Sequence, residues 1–193
     1  VGVKWHHGVI RSPHALSGAG TMSNDLSTSA DQDAWAYALK VYARPGVSGA
    51  CLLLQDTVGV DVLVMLHLAH VSLRQNVAIS TPMVEQADAL VAAWRTDVVR
   101  PLRAARRAID KQDAATRTLR ASIQQCELAA EKHALGLLAA AAMAPAMDVL
   151  ADSAFSIAPV ANFYAHRHAS ESLLARDDVM QAIRLLELQL ATA

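Results

Sequence analysis

The sequence predicts an all-α fold, one helical bundle of about six or seven helices that includes a long antiparallel hairpin. Three observations carry this. Alanine supplies about one residue in five, whereas aromatic residues make up only 4%; that balance suits close-packed helices better than sheets, whose usual material is aromatic and β-branched. Apolar residues recur at three- and four-residue spacing in one segment after another, the period of a helix face. The third is overall composition. With 193 residues, 53% hydrophobic and 18% charged, the chain is too apolar for disorder and long enough for a single core.

The elements follow in order. Asp31 to Ala43 carries Trp35, Ala38, Leu39 and Tyr42 on one stripe, with Asp31 or Ser29 as cap, and Arg44-Pro45-Gly46 ends it. Val47 to about Thr57 places Val47, Ala50, Cys51, Leu54 and Val58 on one face, and Gly59 suits a left-handed stop. Asp61 is the natural N-cap of Val62–Gln75, a helix apolar almost all round and therefore expected in the middle of the bundle. Ser80-Thr81-Pro82 combines a hydroxyl cap with Pro in the first turn. The long helix after it carries Val91, Trp94, Val98, Leu102, Ala105 and Ile109 as its stripe, with a kink or break near Val99–Arg100 because Pro101 lies inside it. A turn near Asp110–Asp113 leads to a helix over about 114–143, striped by Leu119, Ile123, Cys126, Ala130, His133 or Ala134, and Leu137. Together these two make the hairpin, over about 82–143. Ala158–His168 is a short helix, and Asp177–Leu190 a clear one, with Val179, Ile183, Leu186 and Leu190 on one side.

The ends and the apolar runs bound the setting. Val1 to Gly20 lacks periodicity and any apolar run of signal-peptide length. Met22 is a candidate natural start, with residues 1–21 an upstream extension; the alternative is a disordered tail. Residues 1–30 are excluded from the fold, and 31–193 form a single helical domain. The longest apolar run, Ala134–Met147, is interrupted by Pro145 and falls short of a bilayer crossing. No membrane span and no export signal imply a cytoplasmic protein. Its two cysteines, Cys51 and Cys126, both lie on apolar stripes and read as packed thiols.

Two polar features interrupt the apolar pattern. Gln55, Asp56 and Asp61 stand in an otherwise apolar stretch, where an unpartnered polar group costs on the order of 1–3 kcal/mol. They read either as a small polar site between the second and third helices or as structure, with Asp61 capping and the other two fixing the turn; capping alone, worth roughly 1 kcal/mol, explains Asp61. The second feature is basic. Residues 95–120 hold eight basic side chains against Asp97, Asp110 and Asp113, and Arg100, Arg103 and Arg107 share a helical face. Such a ridge suits an anionic partner, a protein or an RNA backbone. The plainer account is a solvated face with internal pairing, which puts Arg95 and Arg100 opposite Glu127 and Glu131.

Distinctive residues also group the chain with others. Tyr42-Ala43-Arg44-Pro45-Gly46-Val47, Ala50-Cys51-Leu52-Leu53-Leu54-Gln55-Asp56 and Gly59-Val60-Asp61-Val62 form a signature. Further on come Trp94, Val98-Val99-Arg100-Pro101-Leu102-Arg103, Arg106-Arg107, Glu127-Leu128 and Glu131. In these residues the chain resembles an uncharacterised family of small proteobacterial proteins, a domain of unknown function, over roughly residues 31–140. The resemblance implies no activity. His67 and His70 depart from it, standing where bulky apolar or aromatic residues are expected.

Other chemistries have less to stand on. The second and third helices with Gly59 between them mimic a helix-turn-helix, but Val62–Leu68 offers almost nothing to read base edges. Few aromatics are available for stacking on RNA. His67 and His70 lack further ligands at matching spacing, and no phosphate loop or nucleophile elbow occurs. No metal, cofactor or catalytic residue is expected, and nucleic acid is disfavoured. The resulting expectation is a non-enzymatic cytoplasmic interaction or regulatory protein with a protein partner. One alternative is an enzyme or small-ligand binder using Gln55, Asp56 and Asp61. The other is an RNA-associated factor using Arg100, Arg103 and Arg107.

Overall fold

The computed structural model describes residues 29–141 and 155–192. The candidate start at Met22, the segment before Ser29, and Pro145 with the end of its apolar run lie outside the described residues. The α-helices are α1 (Ser29–Tyr42), α2 (Val47–Thr57), α3 (Val62–Gln75), α4 (Thr81–Trp94), α5 (Arg100–Ala108), α6 (Arg117–Ala140), α7 (Ala158–Arg167) and α8 (Asp177–Ala191). A π-helical turn, Arg95–Val99, joins α4 to α5, so the described residues form seven helical rods. No strand occurs among the described residues. Nor is any helix among them long and apolar enough to cross a membrane.

The core lies where the apolar faces of α2, α3, α4, α6, α7 and α8 meet. Leu54, Met65, Leu66, Leu68, Met83, Leu135, Leu138, Ile157, Leu186 and Leu190 are all sealed from solvent there. The predicted face of α2 is wholly buried and packs against α8. At its end Gly59 takes φ +84°, and its N–H returns to the Leu54 carbonyl. Only glycine fits there, since a Cβ would lie 2.4 Å from the His168 ring. α3 runs through the middle, as its all-round apolarity predicts, and both its ends match the sequence reading. Val64 through Ala69 are buried along it. Arg44 crosses to the end of α8, donating to the Gln189 and Thr192 carbonyls. A guanidinium there satisfies orphan acceptors at a helix C-terminus.

Several expectations shift in detail. α1 starts at Ser29, so Asp31 lies within the helix; its buried face is Ala34, Ala38, Val41 and Tyr42, of which Ala38 and Tyr42 are on the predicted stripe, while Trp35 is only partly covered. Ser80 flanks α4 at the N-cap position, but its hydroxyl makes no capping bond. Leu119 stays 55% exposed and Cys126 is exposed, so the predicted stripe of α6 is not its buried face at this end. Cys51 is buried, as its stripe predicts.

The interruption expected near Val99–Arg100 is found, and it takes the form of a π turn: regular α-helix stops at Trp94, Arg95–Val99 is π-helical and α5 begins at Arg100. Proline has no N–H to donate and crowds the preceding turn. The Arg100 N–H reaches back five residues to the Arg95 carbonyl, and the rod continues as α5. A π turn takes in one residue more than an α turn, which advances the buried face by one position. Val99 is therefore buried rather than Val98, and Arg106 rather than Ala105. The apolar stripe predicted through Leu102, Ala105 and Ile109 turns aside, and arginines turn inward.

Candidate ligand-binding cleft

Asp61 occupies the turn between α2 and α3 because a helix start needs an acceptor. Its Oδ1 takes the Leu63 N–H at 2.9 Å and the Val64 N–H at 3.2 Å. That leaves Oδ2 free to accept from Arg95 Nη1 at 2.7 Å. The other arm of the Arg95 guanidinium, Nη2, reaches Asp88 Oδ1 at 2.8 Å. Asp88 is buried on α4, and the Tyr164 hydroxyl and Arg167 complete its shell. Two arginines and two aspartates thus form a closed set. Burial works against the Arg95 charge, yet Asp61 and Asp88 outweigh it and hold the guanidinium above its usual range. The Tyr164 phenol is held well above its usual range by burial and by Asp61 and Asp88.

A second set lies between α5 and α6, where the π turn has delivered it. Glu127, fully buried, accepts from Arg106 through both oxygens, Nε at 2.5 Å and Nη2 at 3.3 Å, and from Arg103 Nε at 3.1 Å. Arg103 also donates to Glu131 Oε1 at 2.6 Å and, more weakly, to Gln55 Oε1 at 3.4 Å. Glu131 is 3% exposed, and its Oε2 is sealed from solvent without a hydrogen-bond partner. Burial pushes its carboxyl up to about 7, Arg103 pulling against this and the carboxylates of Glu127 and Asp61 adding to it.

Between the two sets opens a cavity of about 590 Å³. Its walls include Gln55 and Asp56 from α2, Asp61, Arg95 and Thr96 from the π turn, and Arg100, Arg103 and Arg107 from α5. Glu131 from α6 and Tyr164, Arg167 and His168 around the end of α7 close it. The polar cluster and the arginine row, separate in the sequence reading, thus face one another across a single cleft. Paired charges cancel within each set. Arg100 and Arg107 remain, about 10 Å apart along α5 by helix rise. Neither has a hydrogen bond or ion pair among the described residues, and Asp56 is the unpaired acid facing them.

The expected pairing of Arg95 and Arg100 with Glu127 and Glu131 is not found. Arg103 and Arg106 take those glutamates, because the π turn rotates α5 and Arg95 is drawn away to Asp61 and Asp88. Nor is the row a flat ridge, since Arg103 is tied into the cleft wall. Asp88, Arg106, Tyr164 and Arg167 escaped the sequence reading. An aspartate on the buried face that carries Val84, Ala87 and Val91 was the one available signal. Elsewhere, His70 lies against the Tyr37 ring at 4.6 Å, and buried His67 has neither ring nitrogen hydrogen-bonded. Among the described residues no group of three or more potential ligands could hold a metal.

The cleft is built almost entirely from the segment that known proteins share. A family described as a protein of unknown function, DUF2390, matches residues 33–138. No curated protein and no solved structure matches the chain. The matched segment runs from α1 nearly to the end of α6 and includes Gln55, Asp56, Asp61, Asp88, the arginine row, Glu127 and Glu131. It spans more than half the chain, and the protein belongs to the DUF2390 family.

Proposed function

We propose that this protein is a non-enzymatic binder of a small anionic molecule, a carboxylate or phosphate, which it holds in the cleft between α2, α5, α6 and α7. One observation carries the reading: Arg100 and Arg107 face a cavity of about 590 Å³ with no partner among the described residues, beside two ion sets whose own charges cancel. The volume falls in the range of small-molecule sites, which run from roughly 300 to 1,000 Å³. Guanidinium forks on a rigid helix suit planar and tetrahedral oxyanions. Gln55, Asp56 and Asp61 belong to this site as the wall facing the arginines. No cofactor and no metal enters the reading, and we place the protein in the cytoplasm of a proteobacterial cell.

The test is thermal unfolding and calorimetry with sulfate, phosphate and citrate. At least one should raise the midpoint and bind with micromolar to millimolar affinity. Arg100→Gln with Arg107→Gln should abolish both effects. If all three anions leave the midpoint and the calorimeter trace unchanged, the reading is wrong.

A second reading, a scaffold for a protein partner, would use exposed apolar side chains such as Leu119 on α6. An RNA contact has less, since Arg103 is committed to Glu127 and Glu131.

A further inference from the structure

The cleft holds one group that the ion sets leave unsettled. Glu127 is secured by two guanidiniums, but Glu131 has only a share of one. Arg103 divides its donors among Glu127, Glu131 and Gln55. The second oxygen of Glu131 is buried with nothing to accept from. A carboxylate with a dehydrated, unpartnered oxygen is poorly stabilised, and its neutral form loses little by comparison. An oxyanion arriving at Arg100 and Arg107 lies beside Arg103 and competes with Glu131 for that guanidinium.

We propose that Glu131 is the proton-accepting member of the anion site: when an oxyanion occupies the cleft, Glu131 releases Arg103 Nη2 to it and takes one proton from solvent. This rests on the anion-binding reading and specifies how the site works. One carboxylate is neutralised in the cleft, which offsets one of the negative charges that the oxyanion brings. The charged groups around Glu131 pull in both directions. Glu127 on its own helix and Asp61 from the α2–α3 turn both disfavour a further anion. Arg103 and Arg106 from α5 and Arg95 from the π turn oppose them, but Arg106 and Arg95 are engaged elsewhere. The raised position of the carboxyl, about 7, makes the proton available near neutrality.

The experiment uses sulfate, which stays dianionic throughout the range. Calorimetric titration of the full chain at pH 6.0 and pH 8.0 should show roughly tenfold tighter binding at the lower pH. At pH 8.0, buffers of different ionisation enthalpy should reveal uptake of close to one proton, and at pH 6.0 almost none. Glu131→Gln, which keeps an acceptor for Arg103, should bind sulfate equally at both pH values with no proton uptake. Circular dichroism and the unfolding midpoint of that variant establish that it folds. If it does not, proton uptake by the wild type at pH 8.0 still decides the matter. Sulfate binding with equal affinity at both pH values and no proton taken up overturns the role of Glu131 and leaves the anion site standing. No sulfate binding at either pH, by wild type or variant, overturns both.

Discussion

The contact between α2 and α8 and the contact between α5 and α6 bury helix faces by opposite means. The first is apolar throughout: Val47, Cys51 and Leu54 on one side, Val179, Leu186 and Leu190 on the other, all sealed. The second is held by Arg103 and Arg106 against Glu127 and Glu131, with Glu127 as dry as any leucine. A buried ion pair rarely stabilises more than well-packed hydrophobic residues of the same volume, because desolvation offsets the attraction. Apolar side chains could therefore have closed the α5–α6 seam without loss of stability. Arg103 and Glu131 stand in the wall of the cleft, and this supports assigning them to the site and the apolar contact to folding.

The largest expected effect falls on the charged seam. Glu127→Ala leaves Arg103 and Arg106 without their shared carboxylate, and Arg106 is only 4% exposed. Breaking one side of such a pair costs about 3–5 kcal/mol. Replacing Arg106 and Glu127 together by Met and Leu should recover most of that loss. Urea unfolding of the two variants measures the difference. If the single variant loses under 1 kcal/mol, the seam is not the buried network described.

On the apolar side, Leu54→Ala removes a fully buried side chain from the α2–α8 contact. Its cost should be about 2–4 kcal/mol, with no compensating partner change available and no effect on anion binding. The same urea series with sulfate titration checks both. A changed sulfate affinity at matched folded fraction would break the separation of the two regions.

The sequence showed the apolar region well and the charged one poorly, for physical reasons. Val62–Gln75 and the face of α2 were legible because a buried helix declares itself in side-chain type alone, and Asp61 and Gly59 mark its ends by local rules of capping and handedness. The row Arg100, Arg103 and Arg107 was also visible, as was a role for Glu127 and Glu131. What could not be read was the register. Spacing arguments assume a constant 3.6 residues per turn, and a single π turn before Pro101 advances every later position by one. The spacing therefore assigns Glu127 and Glu131 to Arg95 and Arg100, whereas Arg103 and Arg106 are the arginines that meet them. Tyr164 and Arg167 were out of reach for another reason: they join Asp88 across 76 and 79 residues of sequence, a distance that no local rule spans.

His67 sharpens the comparison from within the apolar region, as a buried imidazole there whose ring nitrogens have no hydrogen-bond partner among the described residues. Burial, followed by the nearby His70, lowers its imidazole to about 4. The unfolded chain, with an ordinary histidine near 6.5, binds more protons between these values. Stability is therefore lost as pH falls from about 6.5 to about 4, by roughly 3 kcal/mol. Glu131 acts oppositely, since its raised carboxyl withdraws stability as pH rises from its ordinary 4.5 towards 7. The informative quantity is the difference between wild type and His67→Leu across pH 4 to 7. It should be small at pH 7 and grow to favour the variant by about 2–3 kcal/mol at pH 4. A flat difference would mean that the imidazole has a partner in solution.

The smallest expected change in stability lies inside the arginine row and separates its two kinds of member. Arg100 and Arg107 are exposed and unpaired, so Arg100→Gln with Arg107→Gln should alter the unfolding free energy by no more than about 0.5 kcal/mol. Arg103→Gln strips a donor from Glu127 and Glu131 together and should cost about 2–3 kcal/mol, since both acceptors are buried. Sulfate binding should be lost in the double variant, whose fold is untouched, and weakened in Arg103→Gln, whose fold is not. Neighbours on one helix face would then divide, two serving the ligand alone and one serving both ligand and fold. Equal stability losses in the two variants would instead place all three arginines in the same structural role, and the cleft would have no cations to spare for an anion.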